Sequence, residues 1–231
     1  MTQVILKNVR LSYPDIWKPS DPSTDDSGNP IPGKFGAQGI FAPTSEAAVL
    51  VKKAFMEVAT AKWGVNAANV VNALGKDKKC IRQGNQNLDK SGSIRDGYEG
   101  MLYVVSRAKA RPAIVAHKFF NGKPVILGED GSAWQEGHQV NVPFECKVPY
   151  GGCVVNLKID IYAMEGTGAK ARQGKSINAT LLAVQFFGEG KAFGSAPGTA
   201  EGFESDDSEE ASGPSSMDNL FANDPVEEFT F

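Results

Sequence analysis

Hydrophobic positions recur along this chain at two different periods, and the change between them divides it. Residues 4–11 (VILKNVRL) alternate in part and predict a strand, with Val4 and Leu6 inward, then Val9 or Leu11. Ser12-Tyr13-Pro14 predicts its end, because proline cannot donate to a ladder. The stretch 17–33 is rich in Pro, Asp, Ser and Gly and predicts a long exposed loop. Residues 34–43 (KFGAQGIFAP) predict a second strand, bent or bulged at Gly36 and Gly39. The period then lengthens. Ala48, Val49, Val51, Lys52, Phe55, Val58 and Ala59 form a helical stripe, capped by Thr44 or Ser45, with Glu46 in the first turn and a stop at Gly64. A shorter helix is expected over residues 66–74. Residues 75–100 carry basic residues among glycines and amides, with little periodicity beyond a short strand at Cys80–Arg82.

From Gly100 the pattern is all β. Residues 101–111 (MLYVVSRAKAR) predict a two-faced strand: Leu102, Val104, Ser106, Ala108 and Ala110 on one side, Tyr103, Val105, Arg107, Lys109 and Arg111 on the other. Val125–Leu127 predicts a short strand. Residues 138–148 alternate with Val140, Val142, Phe144, Cys146 and Val148 inward, and residues 153–164 with Cys153, Val155, Leu157, Ile159 and Ile161 inward. Residues 177–187 are apolar on both faces, as in a closing central strand. About six to eight strands with close turns and one inserted helix predict a mainly β fold: a small, partly open Greek-key barrel. A β-sandwich carrying a decorating helix is the alternative.

Charge changes this picture. The chain has 24 basic and 27 acidic residues, a net of −3. Ten of the acids and none of the basic residues lie in 198–231, which leaves residues 1–197 at +7. A basic domain over 1–197 is therefore expected to carry a disordered acidic tail over 198–231. Such a body suits a polyanion, and such a tail competes with that polyanion or recruits partners. The tail also holds apolar residues that solubility alone does not require, concentrated in DNLFANDPVEEFTF, so Glu227, Glu228, Phe229 and Phe231 are the candidate partner-binding residues.

The chemistry-bearing motifs are sparse. No P-loop, dinucleotide fingerprint, GxSxG or HExxH occurs. The two histidines and three cysteines have no metal-type spacing. A non-enzymatic protein with no cofactor and no metal is expected, reduced and cytoplasmic, with no signal-peptide pattern and no bilayer-spanning run. What the body does offer is cations interleaved with aromatics. Tyr103, Arg107, Lys109 and Arg111 alternate along one strand about 7 Å apart, a spacing at which rings can stack on bases while cations neutralise phosphates. Tyr13, Trp17, Lys34 and Phe35 flank the first loop. Lys78, Lys79, Arg82, Arg95 and Tyr98 line the basic loop, and Lys158 and Tyr162 share an outward face around Asp160. All of these are candidate DNA-contacting residues.

The opening LKNVRLSYPDIW, the KFGAQGIFAP before the helix, the closing LLAVQFFGEG and the acidic tail ending on Phe231 together resemble the phage replication single-stranded DNA-binding proteins, one family of which was long known only as a domain of unknown function. That resemblance implies an OB-fold that coats single-stranded DNA without sequence preference during phage replication and recombination in the bacterial host cytoplasm. It implies a tail that recruits replication proteins, such as a polymerase, a helicase or primase, or recombination factors, and it leaves room for a homodimer. Two other classes stay open: a structural or accessory phage β-sandwich protein, and a nuclease built on a similar barrel.

Overall fold

In the computed structural model, which describes residues 1–24, 28–166 and 174–193, β1 (Thr2–Asp15) is the strand from which the sheet is built. Two irregularities bend it. The register shifts between Leu6 and Val9, where Asn8 has φ 54°, and again between Ser12 and Asp15, where Tyr13 has φ 47°. The bends let β1 pair with one neighbour along its first half and another along its second. Pro14 falls inside the second irregularity, so the expected stop at Ser12–Pro14 is corrected: the strand passes through because no ladder donor is needed there.

The loop after β1 contains a two-residue pair, β2 (Ser23–Thr24) with β3 (Pro30–Ile31). β4 (Phe35–Phe41) leads to α1 (Glu46–Trp63). Helix α1 begins as expected, with the Ser45 hydroxyl accepting from the Ala48 amide, and it ends at Gly64 with φ 56°. Its face of Ala48, Val51, Phe55, Val58 and Ala59 is buried, packed against β1. Val49 and Lys52, expected on that stripe, are corrected: they fall on the outer side of the helix and are exposed. After α2 (Ala67–Ala73) come β5 (Ile81–Gln83), β6 (Leu102–Ala108), β7 (Ala113–Val115), β8 (Ile126–Leu127), β9 (Ala133–Gln135), β10 (His138–Gln139), β11 (Val154–Glu165) and β12 (Lys175–Gly188).

Among the described residues, ten strands make one sheet in the order β10-β9-β8-β7-β12-β11-β1-β4-β6-β5. Every pairing is antiparallel except β12 with β7. Beyond β5 the chain meets β12 again: Lys79 bridges Ile177, and the amides of Cys80 and Val105 donate to the carbonyls of Ile177 and Cys80, each at 2.8 Å. The result is the mainly β, OB-fold-like, partly open barrel with an inserted helix. Its interior is filled by Leu6, Val9, Val104, Leu157, Ile159 and Leu181, all nearly inaccessible. Gly39 faces this interior. A Cβ there would lie 2.6 Å from a Leu157 methyl and 3.2 Å from one of Val9, so the strands close up only around a glycine.

Two expectations are corrected or explained here. Residues 138–148 do not form a strand; only His138 and Gln139 pair. Pro143 and Pro149 break the donor pattern, yet Val140, Val142, Phe144 and Cys146 still pack inward; Val148, expected inward with them, is corrected, because it stands exposed just before Pro149. The double-sided apolarity of β12 reflects a register shift against β11. Ile177, Ala179 and Leu181 are buried before it, and Val184 and Phe186 after it. Among the described residues, no helix is long and apolar enough to cross a membrane.

Candidate nucleic-acid interface

The outer face of the β4–β6 pair sets the geometry. Register places Gly36 beside Arg107, Gln38 beside Val105 and Ile40 beside Tyr103, while Arg82 of β5 lies opposite Tyr103. Where β6 ends and the chain meets β12, a cleft of about 500 Å³ opens. Lys34, Lys79, Arg82, Arg107, Lys109 and Tyr162 line it, with Asn178 and Thr180 from β12 adding neutral polar groups. Asp77 is its one carboxylate, 3.7 Å from the Arg82 guanidinium. Arg82 also donates from Nε to the Lys79 carbonyl at 3.2 Å, which fixes its direction. Five cations facing one acid in a concave site concentrate positive potential. Such a cleft neutralises phosphates, and the half-buried Tyr162 ring offers a face for a base.

A second cleft, of about 420 Å³, lies where the outer face meets β1. Tyr13, Arg95, Asp96, Tyr98 and Phe193 are among its walls. The Tyr13 ring is 43% exposed and carries the Arg95 guanidinium 5.7 Å from its centroid.

Several expected contact residues stand elsewhere. Tyr98 and Tyr103 are corrected: they are 1% and 5% exposed, packed edge to face at 5.1 Å with Ile40 beside them, so neither ring is available to a base. The Tyr98 hydroxyl donates to Gln38 Oε1 at 2.7 Å, and burial pushes its pKa up. Phe35 is half-buried against the core. Lys109 and Arg111 lie beyond the end of β6; Lys109 still reaches the basic cleft, whereas Arg111 covers the Trp17 ring at 4.5 Å. Lys78 is exposed in the turn before β5, and Lys158 is exposed on β11 outside either cleft. Glu227, Glu228, Phe229 and Phe231 lie outside the described residues.

The structure adds residues that sequence reasoning passed over. Asn178 and Thr180 reach the cleft because β12 pairs them with Tyr162 and Asp160, a register that no local pattern announces. Arg10 packs over the Phe193 ring at 4.0 Å and donates to the carbonyls of Gly152 and Lys191, tying the chain after β12 back to β1. Its one signal was a cation outward on an alternating strand.

Comparison with known proteins gives this geometry a family. The chain is similar to protein p50 of Acyrthosiphon pisum secondary endosymbiont phage 1, with 28% identity over 197 residues, covering 83% of this chain and 86% of that protein. In fold it is similar to the single-stranded DNA-binding protein from bacteriophage Enc34 in complex with ssDNA, with TM-score 0.54 and 20% identity, covering 83% of this chain and 89% of that one. The C-terminal truncation of the Enc34 protein gives a TM-score of 0.52 at 21% identity, covering 83% and 88%. The model of the family described as Enterobacter phage Enc34, ssDNA-binding protein, matches residues 2–212, and the chain belongs to that family.

Proposed function

We propose that the chain binds single-stranded DNA along the cleft between β6 and β12, by contacts that carry no sequence information. The observation that supports this most directly is the convergence of Lys34, Lys79, Arg82, Arg107 and Lys109 on one concavity that also holds Tyr162. Cations placed there track phosphates, and a ring stacks on any base for about 1–3 kcal/mol. Membership in the Enc34 family points the same way. The role is protective coating of single strands during phage DNA replication and recombination in the host cytoplasm, without catalysis. The acidic segment 198–231 regulates access to the cleft and recruits replication proteins.

Fluorescence anisotropy of labelled oligo-dT against added salt tests the reading. Log affinity should fall linearly with log salt concentration, the mark of counterion release. Binding indifferent to salt, or no binding, would overturn it. Magnesium in the same assay should leave the oligonucleotide at full length.

A further inference from the structure

We infer that the second cleft takes an everted guanine base from the bound strand and reads its edge with Asp96. The inference rests on the reading of the basic cleft as the path of single-stranded DNA.

The two clefts share one sheet face. Ser12, which lines the second, is the cross-strand partner of Gln38, and Gln38 is the partner of Val105, which lines the first. Two strand spacings separate them, about 10 Å. A strand following the basic cleft toward β1 therefore arrives at Tyr13.

The second cleft has aromatic side chains in its walls. At the register shift, with φ 47°, the Tyr13 side chain leaves the ladder and stands half-exposed. Arg95 lies over it at 5.7 Å. A base held between two planar groups needs about 7 Å, two van der Waals contacts of about 3.5 Å each. At 5.7 Å the Arg95 guanidinium is not yet far enough from the Tyr13 ring to admit a base, and an outward swing of this side chain makes a tyrosine–base–guanidinium stack. Phe193, held by Arg10, closes the far wall, and Gly97 lets it come close: a Cβ there would lie 2.7 Å from the Phe193 ring.

Charge chooses the part of the nucleotide that enters. Where the first cleft sets five cations against one acid, this one sets Arg95 against Asp89 and Asp96, so a phosphate gains nothing there. Asp89 is already committed: its Oδ1 accepts from the Ser91 amide at 2.8 Å, the Ser91 hydroxyl at 2.6 Å and the Ser93 amide at 3.0 Å, which builds the loop. Asp96 is an exposed carboxylate on the wall of the same cleft. A carboxylate offers two acceptors side by side, and guanine alone presents two adjacent donors, N1–H and N2–H, on its pairing edge. Adenine and cytosine set one amino group beside an acceptor, and thymine sets one N–H between two carbonyls. The pocket thus lays a local guanine preference over contacts that otherwise ignore sequence.

The test uses the full-length protein and two labelled oligonucleotides of equal length, oligo-dT and oligo-dT carrying isolated guanines, at one fixed salt concentration. The guanine-bearing strand should bind about fivefold tighter or better, the lower range of a bidentate base contact. Asp96→Asn should bring the ratio of the two affinities toward one, and the ratio is the readout. Equal affinities for the wild-type protein, or a preference that survives Asp96→Asn, would overturn the inference while leaving the basic cleft intact. Failure to bind either strand would instead remove the proposed function.

Discussion

The Cys80 amide donates to the Ile177 carbonyl at 2.8 Å, joining the β5–β6 end of the sheet to β12 and so partly closing the barrel. The Cys80 side chain is sealed by the same join. It is 4% exposed, and burial pushes its thiol from the ordinary 9.0 up to about 12. Cys153 is fully buried with its pKa raised by the same cause; Cys146, whose pKa burial also raises, is the one thiol of the three that is only partly buried. Thiolate is the reactive form, so brief iodoacetamide treatment of the native protein near neutral pH should label Cys146 first. Peptide mapping by mass spectrometry checks this, and prior labelling of Cys80 would contradict the closed join.

The same shift fixes a pH dependence. A folded thiol that titrates above its unfolded value contributes stability that is fully present below about pH 9 and is lost as pH rises toward about 12. The unfolded chain releases the proton first, so the slope approaches about 1.4 kcal/mol per pH unit for each such group. Tyr98, raised by burial, adds the same sign above its ordinary 10.0. Urea midpoints should therefore hold steady up to about pH 9 and fall beyond it. Cys80→Ala should show a shallower decline, and a flat wild-type profile would argue against a buried thiol.

Tyr103 separates stability from binding. Its ring is the edge-to-face partner of Tyr98 over Ile40. Tyr103→Ala should cost about 3–5 kcal/mol, as for other buried aromatics, while Tyr103→Phe, which keeps the ring contact, should cost about 1 kcal/mol at most. Denaturant unfolding measures both. A stable Tyr103→Ala protein with weakened oligo-dT binding would return this residue to the DNA surface.

That residue also shows where legibility ended. Alternation along residues 101–111 separated two faces, and Val104, Ser106 and Ala108 do face the barrel interior. Nothing in the pattern told that the other face is itself partly covered, because the cover comes from the irregular loop between β5 and β6. That loop reaches the sheet through Gly84, whose amide donates to the Met101 carbonyl at 2.7 Å. Such a loop has no period from which to predict burial. Helix α1 was readable because its stripe, cap and stop agree over 18 residues. The basic cleft was readable in its members but not in their assembly. Lys34, Arg82 and Tyr162 come from distant stretches, and only strand register brings them together.

Arg107 gives the cleft a quantitative test. It is exposed on β6, beside the Gly36 pair, and its charge opposes the upward pull of burial on the Asp15 carboxyl. If Arg107 meets a phosphate, Arg107→Ala should weaken binding by a similar factor for every base composition and reduce the salt slope by about one. Anisotropy titrations at several salt concentrations read both quantities. A lower affinity with an unchanged slope would mean that Arg107 acts on the fold and not on the DNA.

The acidic segment is tested by its removal. Residues 1–197 carry +7 against ten acids in 198–231, and the basic cleft concentrates part of that positive charge. Two polyanions that compete for one site exclude each other, so a chain ending at residue 197 should bind oligo-dT more tightly than the full chain. The difference should be largest at low salt and shrink as added salt shortens the reach of exposed charges, to about 8 Å at physiological ionic strength. Replacing the segment's carboxylates with amides should reproduce the gain, whereas Phe229→Ala and Phe231→Ala should leave it absent, because repulsion depends on charge and not on the rings. Equal affinities for the truncated and full chains across the salt range would show that the segment acts on partners alone.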